Sequence, residues 1–175
     1  MTYSKHEDFS TKYFKKRWDK YIKIVLDIVK EIVENNNLST TLEIGCAGVP
    51  LIKESDTIDI QNNHIGNPKI RETYPTYLHD ISLVPWPIQN KKYDLVIGTQ
   101  IWEHLNDKQT AFNELTKITK YAILTFPYKW PKGDINHKNI TKELINTWTL
   151  SYPFIKELII NEHFLLRIYK FNYEN

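Results

Sequence analysis

The sequence contains few of the residues that cross-link a chain or let its backbone turn sharply. Its 175 residues include one cysteine, Cys46, so no internal disulfide can form and a reducing compartment is expected. Five glycines and eight prolines are too few for a low-complexity segment. No apolar run approaches the roughly 20 residues that cross a bilayer. The first residues also lack the apolar core of a secretory signal, so we expect a cytoplasmic protein without a membrane span.

The sequence also lacks a large net charge. Its 23 basic and 21 acidic residues give +2, so charge provides no reason to expect nucleic acid as a partner. Hydrophobic residues make up 41% of the chain and charged residues 25%, which is enough for a buried core and a soluble surface. The length fits one domain, residues 1–175, and no repeat or linker divides it. The oligomeric state is not indicated.

The first segment, residues 1–38, is predicted to be helical. Its apolar residues recur at spacings of four and three, as they do along one face of an amphipathic helix. They are Trp18, Ile22, Val25, Val29 and Ile32. The run Asn35–Asn37 ends the pattern. A basic cluster precedes it, which we interpret as a solvated helix face. The cluster is Lys12, Lys15, Lys16 and Arg17.

In residues 40–127, short apolar runs alternate with polar or helical stretches. Five strands are predicted, at Thr41–Gly45, Thr57–Ile60, Tyr77–Ile81, Tyr93–Gly98 and Tyr121–Phe126. The fourth is apolar on both faces, as a buried parallel strand is. Phe112, Leu115 and Ile118 have helical spacing between the fourth strand and the fifth. This alternation predicts an α/β fold with a mostly parallel sheet and helices on both faces.

The last segment, residues 128–175, begins with a long loop and ends in two apolar runs. These runs, Ile155–Ile160 and Leu165–Phe171, are predicted to pair as an antiparallel ribbon.

Three of the predicted strands end in residues suited to a nucleotide-like ligand, which binds beyond the carboxyl ends of such strands. The small residues of Gly45–Gly48 let the backbone approach a ligand closely. Asp59 ends the second strand, where a carboxylate can accept hydrogen bonds from a ribose diol. Asp80 ends the third, where an acid can accept one from an exocyclic amine. A dinucleotide fold is disfavoured because Ala47 and Pro50 occupy glycine positions of its fingerprint.

In this order, the segments resemble the motifs of the class I S-adenosylmethionine-dependent methyltransferases. The resemblance covers about residues 40–127. The similar segments are Leu42–Gly48, Ile58–Ile60, His79–Ile81 with Pro85–Pro87, and Tyr93–Ile97 through Trp102–Leu105. The resemblance implies a Rossmann-like fold, and S-adenosylmethionine as cofactor with S-adenosylhomocysteine as product. The chain departs from the family at Ala47, where a glycine is usual, and the segments after the first two strands are short.

The same resemblance implies which residues bind the cofactor. Glu43 and the turn Gly45–Gly48 would flank its methionine part, Asp59 would hold the ribose, Asp80 the adenine, and Gln100 would lie beside the sulfonium. The full predicted set is Glu43, Gly45, Ala47, Gly48, Asp59, Ile60, Asp80, Ile81 and Gln100.

Two histidines are candidates for the base that an alcohol acceptor needs, because its proton must leave as its oxygen attacks. His104 follows the fourth strand and His137 follows the fifth, so both are expected over one edge of the sheet, with Glu103 orienting them. Alternatively, Gln100–His104 resembles the Glu-x-x-Glu-His pattern of some metal-dependent methyltransferases. Glu103, His104 and His137 would then hold a divalent metal ion.

The loop Pro127–Lys138 is predicted to bind the acceptor, because it carries aromatic and hydrogen-bonding side chains. The predicted acceptor contacts are Trp102, Tyr128, Trp130 and Asp134. Pro85–Pro87, Trp102–Leu105 and Phe126–Trp130 also resemble segments of small methyltransferases that modify sugars of surface glycans. We therefore expect O-methylation of a sugar hydroxyl on a glycan or nucleotide-sugar. The alternatives are a metal-assisted RNA ribose methyltransferase and a non-catalytic cofactor-binding partner subunit.

Overall fold

The amphipathic stripe near the N-terminus forms a nearly continuous helix. The structure, a computed structural model, describes residues 1–9, 11–60, 75–130 and 137–172. In it α1 (Lys12–Arg17) continues through a π-helical turn (Trp18–Ile22) into α2 (Lys23–Asn36). Thr11 caps α1 by accepting a hydrogen bond from the Phe14 N–H. Asn37, in the left-handed conformation, ends α2.

Seven strands form one mixed sheet. They are β1 (Thr41–Ile44), β2 (Asp56–Asp59), β3 (Tyr77–Leu78), β4 (Tyr93–Thr99), β5 (Thr119–Pro127), β6 (Phe154–Ile160) and β7 (Phe164–Lys170). Their order is β3-β2-β1-β4-β5-β7-β6. The first five strands pair in parallel, and β7 pairs antiparallel with both β5 and β6. The predicted parallel sheet and terminal ribbon are confirmed. The chain reverses direction across the sheet between β1 and β4, where such folds bind ligands.

Helices cover both faces of this sheet, as predicted. Successive residues of β4 point to opposite faces: Leu95 and Ile97 pack beneath α2, whereas Val96 belongs to the core on the other side. That second core includes Phe112 and Leu115 of α3 (Lys108–Ile118). Since β4 is covered on both sides, its continuous apolar sequence has a direct structural reason.

Two elements differ from the sequence prediction. The helix α4 (Lys142–Trp148) was not predicted, because its seven residues bury Ile145 alone and so carry almost no periodic signal. The strand β3 has two residues, where five were expected. Residues 45–55, between β1 and β2, contain turns and no helix, in agreement with the short connection in the sequence.

The connection after β1 is held by a buried acid. The carboxylate of Glu43 accepts hydrogen bonds from the N–H groups of Leu51 and Ile52, each at 2.7 Å, and from the Ser55 hydroxyl at 3.3 Å. Burial raises the pKa of Glu43 to about 7, although these hydrogen bonds favour the ionised form. Tyr3 in turn forms an antiparallel bridge with Ile52, which fixes the start of the chain on this connection.

In the part of the chain that the structure describes, no helix has the length and apolar character needed to span a membrane.

The pKa of Glu43 gives a testable dependence of stability on pH. Its value of about 7 in the folded protein lies above the usual 4.5, so the folded state binds this proton more tightly than the unfolded chain does. The resulting stabilisation is therefore lost as the pH rises from 4.5 to about 7. Glu43→Gln does not titrate in that range. The stability of the wild type relative to this variant should fall by up to about 3 kcal/mol.

Urea denaturation of both proteins at about pH 5 and about pH 8 measures this change. Glu31→Gln is the control, because the side chain of Glu31 is exposed. A stability difference between wild type and Glu43→Gln that did not vary with pH would contradict the prediction.

Candidate functional site

The carboxyl ends of β2, β1, β4 and β5 meet at one edge of the sheet. Hydrogen bonds join neighbouring strand ends there: the Gly45 N–H donates to the Ile58 carbonyl at 2.9 Å, and the Gln100 N–H to the Thr125 carbonyl at 3.2 Å. The predicted ligand residues after β1, β2 and β4 are thus neighbours in space. This edge is the candidate functional site.

The turn after β1 has the backbone geometry that its small residues predict. Gly45, Ala47 and Gly48 have φ values of 62°, 51° and 79°, in the left-handed region. A Cβ added at Gly45 would lie 2.2 Å from Cδ1 of Ile101, so the Ile101 side chain would have to move to admit one. Ala47 adopts the conformation that glycine favours, at a cost of about 1–2 kcal/mol. Alanine at this position therefore preserves the shape of the turn.

The Asp59 carboxylate lies between this turn and the end of β2. Its Oδ2 accepts a hydrogen bond from the Ala47 N–H at 3.3 Å, and its Oδ1 accepts one from the Ile60 N–H at 2.8 Å. The Ile60 side chain itself is exposed. The position at the strand end agrees with the prediction for a ribose-binding acid.

Asp80 and Ile81 form a turn after β3. The Asp80 carboxylate accepts a hydrogen bond from the Ser82 N–H at 2.8 Å, so it caps this turn. Ile81 is buried, and its carbonyl accepts a hydrogen bond from the Trp86 indole N–H at 3.0 Å. These contacts give both residues a structural role at the place where the sequence predicts adenine contacts.

A small cavity of about 30 Å³ lies between the glycine turn and the N-terminal segment. Glu43, Gly45 and Cys46 line one side of it, and Phe14 and Arg17 line the other. Burial strongly raises the pKa of the Cys46 thiol, so this side chain is a packing residue and not a nucleophile.

A larger cavity of about 300 Å³ lies farther along the same edge. Its sheet side is lined by Gln100, Glu103, His104, Trp130 and His137. Its other side is lined by residues of the N-terminal helix, which are Lys16, Arg17, Lys20 and Tyr21. The sequence pattern does not predict this helical wall. Periodicity placed Lys16 and Arg17 on the polar face of a helix but gave no information about what that face lies against.

Glu103 and the two candidate histidines come together in the larger cavity. Oε1 of Glu103, whose side chain is fully buried, lies 3.8 Å from Nε2 of His104 and 3.8 Å from Nε2 of His137. The two imidazole rings meet edge to face with their centroids 5.1 Å apart. The indole of Trp130 stacks on His137, with ring centroids 4.9 Å apart and planes 13° apart. The His137 side chain is 17% exposed and that of His104 is 47% exposed, so His137 is the more confined of the two.

Gln100 lines this cavity and has a buried acceptor atom. Its backbone is in the left-handed region (φ 56°), and its backbone and side-chain N–H groups both donate to Oγ1 of Thr125, at 3.1 and 3.2 Å. Within the described part of the chain, no group donates a hydrogen bond to its buried Oε1. A buried acceptor of this kind is costly unless a ligand or water satisfies it.

Two other predicted acceptor contacts, Trp102 and Tyr128, lie in the core and not at the cavity. Trp102 is 1% exposed and packs in the core against Phe112, and its indole N–H donates to the Lys108 carbonyl at 3.3 Å. Tyr128 is also buried in that core. Asp134 lies outside the described residues. Of the three aromatic residues predicted to contact the acceptor, Trp130 is therefore the one that lines the cavity.

Comparisons with known proteins agree with this architecture. No protein-family model and no curated protein matches the sequence. Among solved structures, the N-methyltransferase NodS of Bradyrhizobium japonicum WM9, in complex with S-adenosylhomocysteine, superposes with a TM-score of 0.64 at 17% identity, over 94% of both chains. A S-adenosylmethionine-dependent methyltransferase of Clostridium acetobutylicum gives a TM-score of 0.62 at 14% identity, over 91% of this chain and 98% of that one.

A third similar structure is the magnesium protoporphyrin IX methyltransferase ChlM of Synechocystis PCC 6803 with bound S-adenosylmethionine. It gives a TM-score of 0.60 at 16% identity, over 90% of this chain and 86% of that one. Identities this low establish the architecture of the chain and not its reaction. The chain has the Rossmann-like fold of the class I S-adenosylmethionine-dependent methyltransferases.

Proposed function

We propose that this protein is an S-adenosylmethionine-dependent O-methyltransferase that acts on a sugar hydroxyl, with His137 as the general base. When bound, the cofactor supplies an electrophilic methyl group and leaves as S-adenosylhomocysteine. The observation that carries the proposal is the grouping of Glu103, His104 and His137 in a cavity beside Gln100. This cavity lies at the edge of the sheet where the fold binds ligands.

The residues at this edge fit the cofactor. The left-handed turn at Gly45, Ala47 and Gly48 has no large side chains of its own, so its backbone can lie close to a ligand. We assign the ribose to Asp59 with Ile60, and the adenine to Asp80 with Ile81. Gln100 lies beside the reacting centre. Glu43 acts indirectly in this proposal, since its carboxylate is turned into the connection after β1 and holds it in place.

His137 suits the role of base better than His104 does. An alcohol acceptor must lose its proton as its oxygen attacks, and a neutral imidazole can take it. The His137 ring is fixed by its stacking on Trp130 and lies next to the Glu103 carboxylate. His104 has the same acid at the same distance, but its side chain is far more exposed to solvent.

The cavity also favours a sugar as acceptor. Its volume of about 300 Å³ is at the small end of ligand cavities and fits a single sugar ring. It combines an aromatic residue, Trp130, with polar lining residues whose side chains can bind hydroxyls, among them Gln100 and His137. Nothing in the fold itself selects an acceptor, so we base the choice on this lining.

A metal-assisted reaction is the second candidate function, because the same three side chains are close enough together to bind one metal ion. Glu103, His104 and His137 each offer one ligand atom, and these atoms lie within 4.8 Å of one another. Mixed carboxylate and imidazole ligands suit a divalent transition metal. Such an ion would act as a Lewis acid on the acceptor hydroxyl. The RNA ribose methyltransferase considered from the sequence would use the site in this way.

The proposed activity can be tested directly with a cofactor that carries a labelled methyl group. Sugars, nucleotide-sugars and short RNA are offered as acceptors, with and without a chelator. Label on a sugar or nucleotide-sugar supports the proposal, and label on RNA alone supports the second candidate. Cofactor binding without label on any acceptor supports a non-catalytic partner subunit.

Asp59→Ala should weaken cofactor binding, because a carboxylate that accepts hydrogen bonds from the ribose hydroxyls would be lost. We expect a loss of about 1–3 kcal/mol in binding free energy, measured by calorimetry with S-adenosylhomocysteine. Asp27→Ala is the matched control, since Asp27 is exposed on α2 and pairs with Lys23 there. If both variants bound the cofactor equally well, the ribose assignment would be wrong.

His137→Ala should lower kcat by roughly 10²–10⁴-fold and leave cofactor affinity nearly unchanged, because the proton acceptor is lost while the cofactor residues remain. Initial rates at saturating acceptor, together with calorimetry, separate the two effects. His6→Ala is the control, since His6 is exposed and does not line the cavity. Full activity in His137→Ala would exclude it as the base and leave His104 as the candidate.

Chelation separates the two chemical roles of the cluster. A general base that works without metal predicts the same rate before and after treatment with a chelator. A metal site predicts loss of activity that added Mn²⁺ or Zn²⁺ restores. Glu103→Ala should then abolish metal binding measured by calorimetry, whereas Glu114→Ala, at a surface pair with Lys117, should not.

A further inference from the structure

The helical wall of the larger cavity is strongly basic. Lys16 and Lys20 are four residues apart, as are Arg17 and Tyr21, so all four lie on one face of the helix. All four line the cavity. Lys20 and Tyr21 belong to the π-helical turn Trp18–Ile22, a kind of turn that is frequent at functional sites.

The guanidinium group of Arg17 is held in place on this wall. Its Nε donates a hydrogen bond to the Tyr21 hydroxyl at 2.8 Å, and its Nη2 also donates to that hydroxyl. The group lies over the rings of Phe14 and Tyr21, 5.3 and 5.4 Å from their centroids. A positive charge is thus fixed at the cavity, with little conformational entropy left to lose on binding.

Lys16 and Lys20 flank this fixed charge and are exposed. Neither forms an ion pair with an acidic side chain in residues 1–9, 11–60, 75–130 or 137–172. Lysines elsewhere do so: Lys23 pairs with Asp27 at 3.1 Å, and Lys120 with Asp94 at 2.9 Å. The positive charges of the Lys16 and Lys20 ammonium groups are therefore not neutralised by an ion pair with any described acidic residue.

The opposite wall supplies little negative charge. Glu103 is the acidic side chain among the described residues that line the cavity, and it lies next to two histidines. Among the lining residues that the structure describes, three basic side chains thus face one acid across about 300 Å³. A cavity with this balance attracts an anion.

We infer that the acceptor carries a phosphate group, which binds to Lys16, Arg17 and Lys20 while its sugar hydroxyl faces His137. This inference rests on the proposed function and specifies its substrate class as a sugar phosphate. Phosphate suits three cations better than carboxylate does, because it has up to two negative charges and three acceptor oxygens. A terminal phosphate monoester carries this full set of charges and oxygens. In a nucleotide-linked sugar or an RNA strand each bridging phosphate keeps one negative charge and two free oxygens, so two neighbouring phosphates together offer the three cations the same charge.

Binding measurements test the inference without requiring turnover. Calorimetry is carried out with UDP-glucose and a five-nucleotide oligouridylate, and with glucose and uridine as uncharged probes. The wild type should bind a phosphorylated probe at least tenfold more tightly than its uncharged counterpart. Tighter binding of UDP-glucose identifies a nucleotide-sugar as the source of the phosphate, and tighter binding of the oligouridylate identifies RNA.

The variant Lys16→Gln/Lys20→Gln should weaken binding of the phosphorylated probe by about 10–100-fold and leave that of the uncharged probe unchanged. Added salt should weaken wild-type binding more than that of the variant. Lys12→Gln/Lys15→Gln is the matched control, with the same charge change on α1 at residues that do not line the cavity. Both variants should keep the wild-type melting temperature, since all four side chains are exposed.

Two results would overturn the inference: equal affinity for phosphorylated and uncharged probes, or wild-type affinity in Lys16→Gln/Lys20→Gln. The labelled-methyl assay distinguishes failure of the phosphate inference from failure of the proposed function. Methylation of uncharged sugars that is insensitive to the lysine variants rejects the phosphate alone. Lysine-dependent binding of a phosphorylated probe that is never methylated rejects the methyltransferase and retains the anion site.

Discussion

Two backbone N–H groups in the connection after β1, those of Leu51 and Ile52, have the buried carboxylate of Glu43 as their acceptor. This connection contains no helix, so neither group has the partner that regular structure would supply. The carboxylate therefore fixes both the conformation of the connection and its position against β1. Tyr3 is bridged to Ile52, so the start of the chain depends on the same interaction.

From that anchor the N-terminal segment leads into α1 and reaches the candidate site. Arg17 lines both cavities, next to the glycine turn in one and opposite the histidines in the other. The sheet edge provides the chemical groups, and the helix provides a charged wall facing them. The two sides differ in burial: Gln100 and Glu103 on the sheet side are buried, whereas Lys16 and Lys20 are exposed. In the function that we propose, the first side positions the reacting groups and the second selects the charge of the substrate.

The sequence predicted the sheet well because the physical signals were local. β4 is apolar on both faces, and the small residues of Gly45–Gly48 mark a turn wherever they occur. His104 and His137 could be placed together because they follow neighbouring parallel strands whose ends share an edge.

Other features depend on what a side chain packs against, and no sequence pattern reports that. Trp102 and Trp130 are both tryptophans in polar surroundings along the chain, yet Trp102 is buried against Phe112 and Trp130 lines the cavity. Nothing in the sequence around Lys16 distinguishes it from a lysine on a solvent-exposed helix face. Its significance comes from the sheet edge opposite, which is nearly ninety residues away along the chain.

The bridge between Tyr3 and Ile52 makes the wall and the sheet edge thermodynamically linked. A molecule that contacts both Lys20 and His137 binds to the two sides of the cavity at once. Its binding free energy therefore also stabilises the packing of the N-terminal segment against the sheet. By reciprocity, a substitution that loosens the connection after β1 weakens such a molecule's binding without touching it. In the function that we propose, Glu43 would thereby contribute to the affinity for the acceptor without contacting it.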